Sequence, residues 1–149
     1  MPVAETGDTQ SEFGAALEEL FRSVLRASGR GVPGGETELT MSQYFVMDAL
    51  GEETLTVTEA ARAARVAIPT ATRALRALER RGFVERRRDD RDDRRLVTVA
   101  LKPSGRAVLA EKRAWVLTRQ REIFDGLAPA ERRTAVGTLT AVAQAVDEL

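Results

Sequence analysis

The chain has 149 residues, 43% of them hydrophobic but only 5% aromatic, so it can bury one core and must build it mostly from Leu, Val and Ala. It contains neither cysteine nor histidine, which removes disulfides, thiolate zinc sites, thiol redox switches, the Ser-His-Asp triad and the commonest metal ligand. The formal net charge is zero but unevenly laid out: residues 1–61 carry 3 basic and 11 acidic groups, residues 62–95 carry 12 and 6, and residues 96–149 carry 8 and 6. A basic centre in a neutral chain suggests a local anionic partner, with a solvated helix face as the plainer alternative. No stretch approaches the roughly 18 apolar residues of a membrane span. The opening MPVAETGDTQSEFG is polar and acidic, without the apolar region of a signal peptide. The expectation is a soluble cytoplasmic protein, not an enzyme, with no cofactor and no metal.

In chain order, Phe13, Ala16, Leu17, Leu20, Phe21, Val24 and Leu25 recur at helical spacing and predict an amphipathic helix ending before Ser28. Residues 28–35 (SGRGVPGG) read as a flexible connector; they lack the closing Gly-Lys-Ser/Thr of a phosphate-binding loop. Thr40 or Ser42 can cap a helix over Gln43–Leu50, closed by Gly51. A third helix follows over residues 58–64; Thr58 can cap it, and Thr56 with Glu59 has capping-box spacing. Val66–Pro69 reads as a short turn into a helix running from Pro69 to Arg81 and closed by Gly82. That helix turns Ala71, Ala74, Leu75 and Leu78 to one face and Thr70, Thr72, Arg73, Arg76 and Arg80 to the other. Phe83–Arg87 and Leu96–Leu101 read as paired strands around a charged tip, with Val97, Val99 and Leu101 inward. Pro103-Ser104 opens a long helix containing Trp115, and a last helix carries Val136, Leu139, Val142, Ala143 and Val146.

Two short helices joined by a three- or four-residue turn make a helix-turn-helix, and a hairpin directly after it makes a wing. In that motif the N-terminal residues of the second helix lie nearest the base edges of the major groove, here Pro69, Thr70, Thr72, Arg73 and Arg76. Threonine hydroxyls can bond phosphates or bases, and an arginine can grip guanine O6 and N7 with two parallel bonds. The hairpin arginines Arg91, Arg94 and Arg95 can reach a flanking minor groove. The interleaved Asp89, Asp90, Asp92 and Asp93 can pair with arginines and orient their guanidinium planes.

Residues 55–61 (LTVTEAA), 69–73 (PTATR), 78–84 (LERRGFV), 90–95 (DRDDRR) and 101–105 (LKPSG) together resemble the MarR-family winged helix-turn-helix and the start of its following helix. The match extends in element order over residues 12–148 and is most specific over 55–105. It implies a mainly α fold with a small β-hairpin wing: a single domain, 1–149, with a DNA-binding lobe at 40–102 and dimerisation helices at 12–27 and 103–149. It implies a two-fold homodimer on a palindromic operator of double-stranded DNA, acting as a repressor. It further implies that Asp93 braces Arg95 in the minor groove and that Thr58 and Thr70 bond backbone phosphates. Many members release DNA when a small ligand, often aromatic or anionic, binds; Tyr44, Met47 and Trp115 are candidates to line such a pocket or else plain core residues. The family's usual threonine after the second wing strand is replaced by Lys102-Pro103, so that helix can start differently. Peroxide sensing by cysteine and zinc sensing by histidine do not carry over. Two other readings compete: an architectural DNA binder with little sequence preference, and a winged-helix interaction module.

Overall fold

The computed structural model describes residues 3–89 and 96–149, which form six helices and one small sheet. The elements run α1 (Val3–Arg30), α2 (Met41–Leu50), β1 (Leu55–Thr56), α3 (Val57–Ala64), α4 (Ile68–Arg80), β2 (Val84–Asp89), β3 (Leu96–Leu101), α5 (Pro103–Gly126) and α6 (Pro129–Asp147). They divide into two compact units, residues 1–112 and 113–149. No helix among the described residues is long and apolar enough to cross a membrane.

Local chemistry explains most element boundaries. The Thr40 hydroxyl accepts from the Gln43 N–H at 3.1 Å while the Gln43 side chain accepts from the Thr40 N–H at 3.0 Å, which closes a capping box on α2. Thr56 and Glu59 close a second box on α3. Thr56 is therefore the cap and Thr58, the alternative from sequence, lies within the first turn. Gly82, at φ +77°, ends α4: its N–H donates to the Glu79 carbonyl and that of Phe83 to the Leu78 carbonyl, both at 3.0 Å, which is the Schellman arrangement.

Two expectations at the first helix are corrected. α1 continues through Ser28 and Gly29 to Arg30, because the residue that must leave helical geometry is Gly31. Gly31 has φ +74°, and a Cβ there would come within 2.6 Å of the Leu39 carbonyl oxygen. The segment that follows is anchored and not slack: the Val32 N–H donates to the Leu39 carbonyl at 2.8 Å, and both side chains are buried.

The core of the 1–112 unit lies where α2, α3 and α4 pack together. Val46, Met47, Leu50, Ala60, Ala71, Leu75 and Leu78 are fully enclosed there. The sheet is antiparallel in the order β1-β3-β2. Val84 faces Leu101 and Asp89 faces Leu96, while Leu55 faces Val99. β1 is the element that sequence reading missed. It makes β3 the central strand, so Ala100 is buried along with Val99 and Leu101, and Val97 is half-buried.

α5 begins at Pro103 and is stitched to the end of α4. The Ser104 hydroxyl donates to the Gly82 carbonyl at 2.7 Å, and the Lys102 N–H to the Phe83 carbonyl at 2.9 Å. Lys102-Pro103 thus supports the helix start rather than displacing it. In the 113–149 unit the turn between α5 and α6 is closed by Arg132, which donates to the Phe124 and Asp125 carbonyls at 3.0 and 2.7 Å.

Among the described residues, one charged side chain, that of Lys112, lies inside the fold. Lys112 is 1% exposed, and its Nζ donates to the Val32 carbonyl at 2.8 Å, tying α5 to the segment after α1. Burial holds this ammonium below its ordinary pKa of 10.5; Glu111 pulls it back up, Arg81 pushes it down and Glu38 pulls it up. The folded chain therefore releases the proton at lower pH than the unfolded chain. Between those two values the unfolded state binds the extra proton, so stability rises with pH. Lys112→Met is expected to cost about 1–3 kcal/mol at neutral pH by leaving the Val32 carbonyl without its donor. Denaturant titrations should show the gap between wild type and variant widening as pH rises toward 10.5. A pH-independent gap would contradict this account.

Two surfaces remain open. No described side chain of α1 is buried, and Phe13, Leu20, Phe21, Val24 and Leu25 stand exposed along it. In the second unit α6 has no buried residue, and Trp115, Leu117, Ile123, Phe124, Val136 and Leu139 are exposed.

Candidate nucleic-acid interface

α3 and α4 are separated by three residues, Arg65–Ala67. Arg65 takes the left-handed conformation, φ 55°, ψ 43°, and the Arg65 and Val66 N–H groups donate to the Arg62 and Ala61 carbonyls at 3.1 Å. This turn needs no glycine because αL is open, at some cost, to other residues. α4 then starts at Ile68 with Pro69 in its first turn, one residue earlier than sequence reading placed it.

Burial of Ala71, Ala74, Leu75 and Leu78 against α2 and α3 fixes the rotation of α4. The opposite side is then forced outward. Ile68, Pro69, Thr72, Arg73, Arg76 and Arg80 line one open groove along it. The spacing explains the alignment, since residues three and four apart lie on one helix face. Among the described residues, Arg73, Arg76 and Arg80 make no hydrogen bond or ion pair, and all three are exposed.

Other arginines of the basic centre are committed to the fold. Arg81 donates to the Glu38 carbonyl at 2.7 Å and lies 5.0 Å from the centroid of the Phe83 ring. Arg86 Nε donates to Glu79 at 2.7 Å, which ties β2 to α4, and Arg87 is paired with Glu85 on its own strand. The charge excess of residues 62–95 therefore overstates the free cations; of the free ones described, Arg73, Arg76 and Arg80 share one face of α4, and Arg62, Arg65 and Arg88 stand exposed on α3, the turn after it and β2.

The structure brings four of the sequence candidates, Pro69, Thr72, Arg73 and Arg76, into that groove. Thr70, expected on the same face, does not line the groove; it is half-buried on the side of Ala74 and Ala77. Thr58 is exposed in the first turn of α3, its hydroxyl released from capping because Thr56 does that work. Arg91, Asp93, Arg94 and Arg95 lie outside the described residues. Tyr44 and Met47 are core residues of α2, Met47 without any exposed surface, and the Tyr44 ring sits tilted against Phe45. Trp115 belongs to the 113–149 unit, 39% exposed. Sequence reading left Ile68 in the turn; its place directly before a helix-starting proline was the available signal. No group of three or more acidic residues among those described is arranged to hold a metal ion.

What this arrangement can do is donate many hydrogen bonds from one exposed helix face to an anionic partner. The comparisons agree with that geometry. Residues 39–96 match the MarR family model. No curated protein matches the sequence. Among solved structures, FabT of Streptococcus pneumoniae in complex with DNA is 23% identical with a TM-score of 0.75, covering 93% of this chain and 98% of that one. BpsR of Bordetella bronchiseptica, whose DNA binding is regulated by 6-hydroxynicotinic acid, is 26% identical with a TM-score of 0.70, covering 89% and 98%. ZitR of Lactococcus lactis, also in complex with DNA, is 16% identical with a TM-score of 0.65, covering 89% and 97%. The zinc response of ZitR has no counterpart in histidines or cysteines here, since the chain has none.

Proposed function

We propose that this chain, whose residues 39–96 match the MarR family model, is a MarR-family transcription regulator: a cytoplasmic, homodimeric, sequence-specific repressor released from DNA by a small molecule. The observation that carries the reading is the row of exposed, unpaired arginines on the outward face of α4. α4 enters the major groove; Arg73 and Arg76 read base edges, while Thr58, Thr70 and Thr72 bond the backbone or bases. The wing tip, with Arg91, Arg94 and Arg95 and with Asp93 bracing Arg95, reaches the minor groove.

The dimer is supported by the uncovered apolar side chains of α1 and, separately, of α6 and the end of α5. Patches of this kind mark association surfaces, and a two-fold pair reads a palindrome. The ligand is supported by the regulation of BpsR. An aromatic or anionic effector near Tyr44, Met47 or Trp115 acts by binding one dimer shape better than the other. Because Met47 is enclosed, contact with it requires α2 to shift, which couples binding to the lobe that carries α4.

The test is selection of bound fragments from genomic DNA, with sedimentation of the complex. The expected result is a palindrome with half-sites about one helical turn, roughly 10 base pairs, apart, bound by two chains. Enrichment without a shared sequence, together with a steep salt dependence, would identify an architectural binder instead.

A further inference from the structure

Ile68 is 51% exposed at the first position of α4, on a face otherwise made of hydroxyls, guanidinium groups and the Pro69 ring. A single exposed isoleucine is ordinary on a protein surface. This one differs by its place. The core does not use it, because Ala71, Ala74, Leu75 and Leu78 complete the buried face. It shares one row of the helix with Thr72 and Arg76, four residues apart each, and lines the same groove. It also stands at the helix end that lies nearest the base edges in a helix-turn-helix.

Arginine and the threonine hydroxyl address the acceptors and donors of the major groove, whereas its one apolar feature, the 5-methyl group of thymine, needs an apolar surface, which on this face is offered chiefly by Ile68 beside the Pro69 ring and the small Thr72 methyl. A β-branched side chain presents a stiff apolar surface with few rotamers to lose. We propose that Ile68 packs against a thymine methyl in each half-site and selects thymine there, in the same half-site that Arg76 reads. This rests on the reading of α4 as the major-groove helix and names one of its specificity determinants.

The experiment uses a duplex recovered by genomic selection and replaces its thymines one at a time with uracil, which removes only the methyl group. Wild type is expected to lose about fourfold in affinity at one thymine per half-site, the value of one buried methyl-sized group. Ile68→Ala should bind the thymine and uracil duplexes equally at that position while keeping any dependence elsewhere, and Ile68→Val should retain part of the preference. Circular dichroism of both variants checks that α4 is intact. A preferred duplex insensitive to every uracil, or an Ile68→Ala variant that keeps the wild-type dependence at every thymine position, overturns the proposal alone. Failure to recover any preferred duplex overturns the reading of α4 and this proposal together.

Discussion

Arg76→Ala is expected to shrink the gap between operator and scrambled DNA by about five- to 150-fold, as the loss of a bidentate base contact worth roughly 1–3 kcal/mol requires. Arg76 sits mid-way along the α4 groove, exposed and without a partner among the described residues. Its removal therefore leaves no orphaned group inside the protein, and fold stability should move by less than about 0.5 kcal/mol. Affinity for scrambled DNA should fall only by what one charge contributes. Arg91→Ala is the counterpart: a backbone or minor-groove cation should weaken both duplexes alike and lower the salt slope by about 0.9. Titrations against both duplexes at two salt concentrations separate the cases. Equal losses on the two duplexes for Arg76→Ala would refute a base-reading role.

Gly105→Ala is expected to destabilise the fold by about 3 kcal/mol or more, at the upper end of overpacking costs. Alanine in place of a helical glycine ordinarily stabilises by about 1 kcal/mol, so the sign of the effect is diagnostic. A Cβ on Gly105 would lie 2.2 Å from the Phe83 carbonyl oxygen and 3.0 and 3.2 Å from its carbonyl carbon and Cα. Those are backbone atoms held from both sides, since the Phe83 N–H is bonded to the Leu78 carbonyl and the Phe83 carbonyl to the Lys102 N–H. They cannot yield without breaking the end of α4 or the start of α5. Gly7→Ala, a helical site with nothing within 4 Å of the added carbon, serves as the control and should be neutral or stabilising. Urea unfolding of both variants at one fixed protein concentration decides the matter. Equal, stabilising effects would show that the seam between α5 and Phe83 is looser than described.

Both predictions draw on features of different legibility. The outward arginines of α4 could be read directly, because the apolar positions 71, 74, 75 and 78 define one face and leave 73, 76 and 80 on the other. The seam at Gly105 could not, because a glycine in a helix looks merely unfavourable until its neighbour is known. Lys112 falls between the two. It continues the stripe of Val108 and Leu109 at helical spacing, which was the sign that it would be buried. Nothing local reveals that its ammonium meets the Val32 carbonyl, 80 residues away. Alternation along β3 marked Val99 and Leu101 as inward but gave no register and did not foresee the burial of Ala100, and β1 is two residues long and carries no period to detect.

Read alone, the chain's residues determined the order of the helices and the two wing strands, the Thr56–Glu59 capping box, the Gly82 stop and the arginine-bearing face of α4. These depend on interactions within about five residues, and such contacts are written in the spacing itself. The tertiary structure decided where α1 stops, which arginines are spent on Glu38, Glu79 and Glu85, why Gly105 must lack a side chain, and that Ile68 is left outside the core. Each of these depends on what another segment presents at the point of contact, and packing and desolvation act between surfaces that chain spacing does not specify.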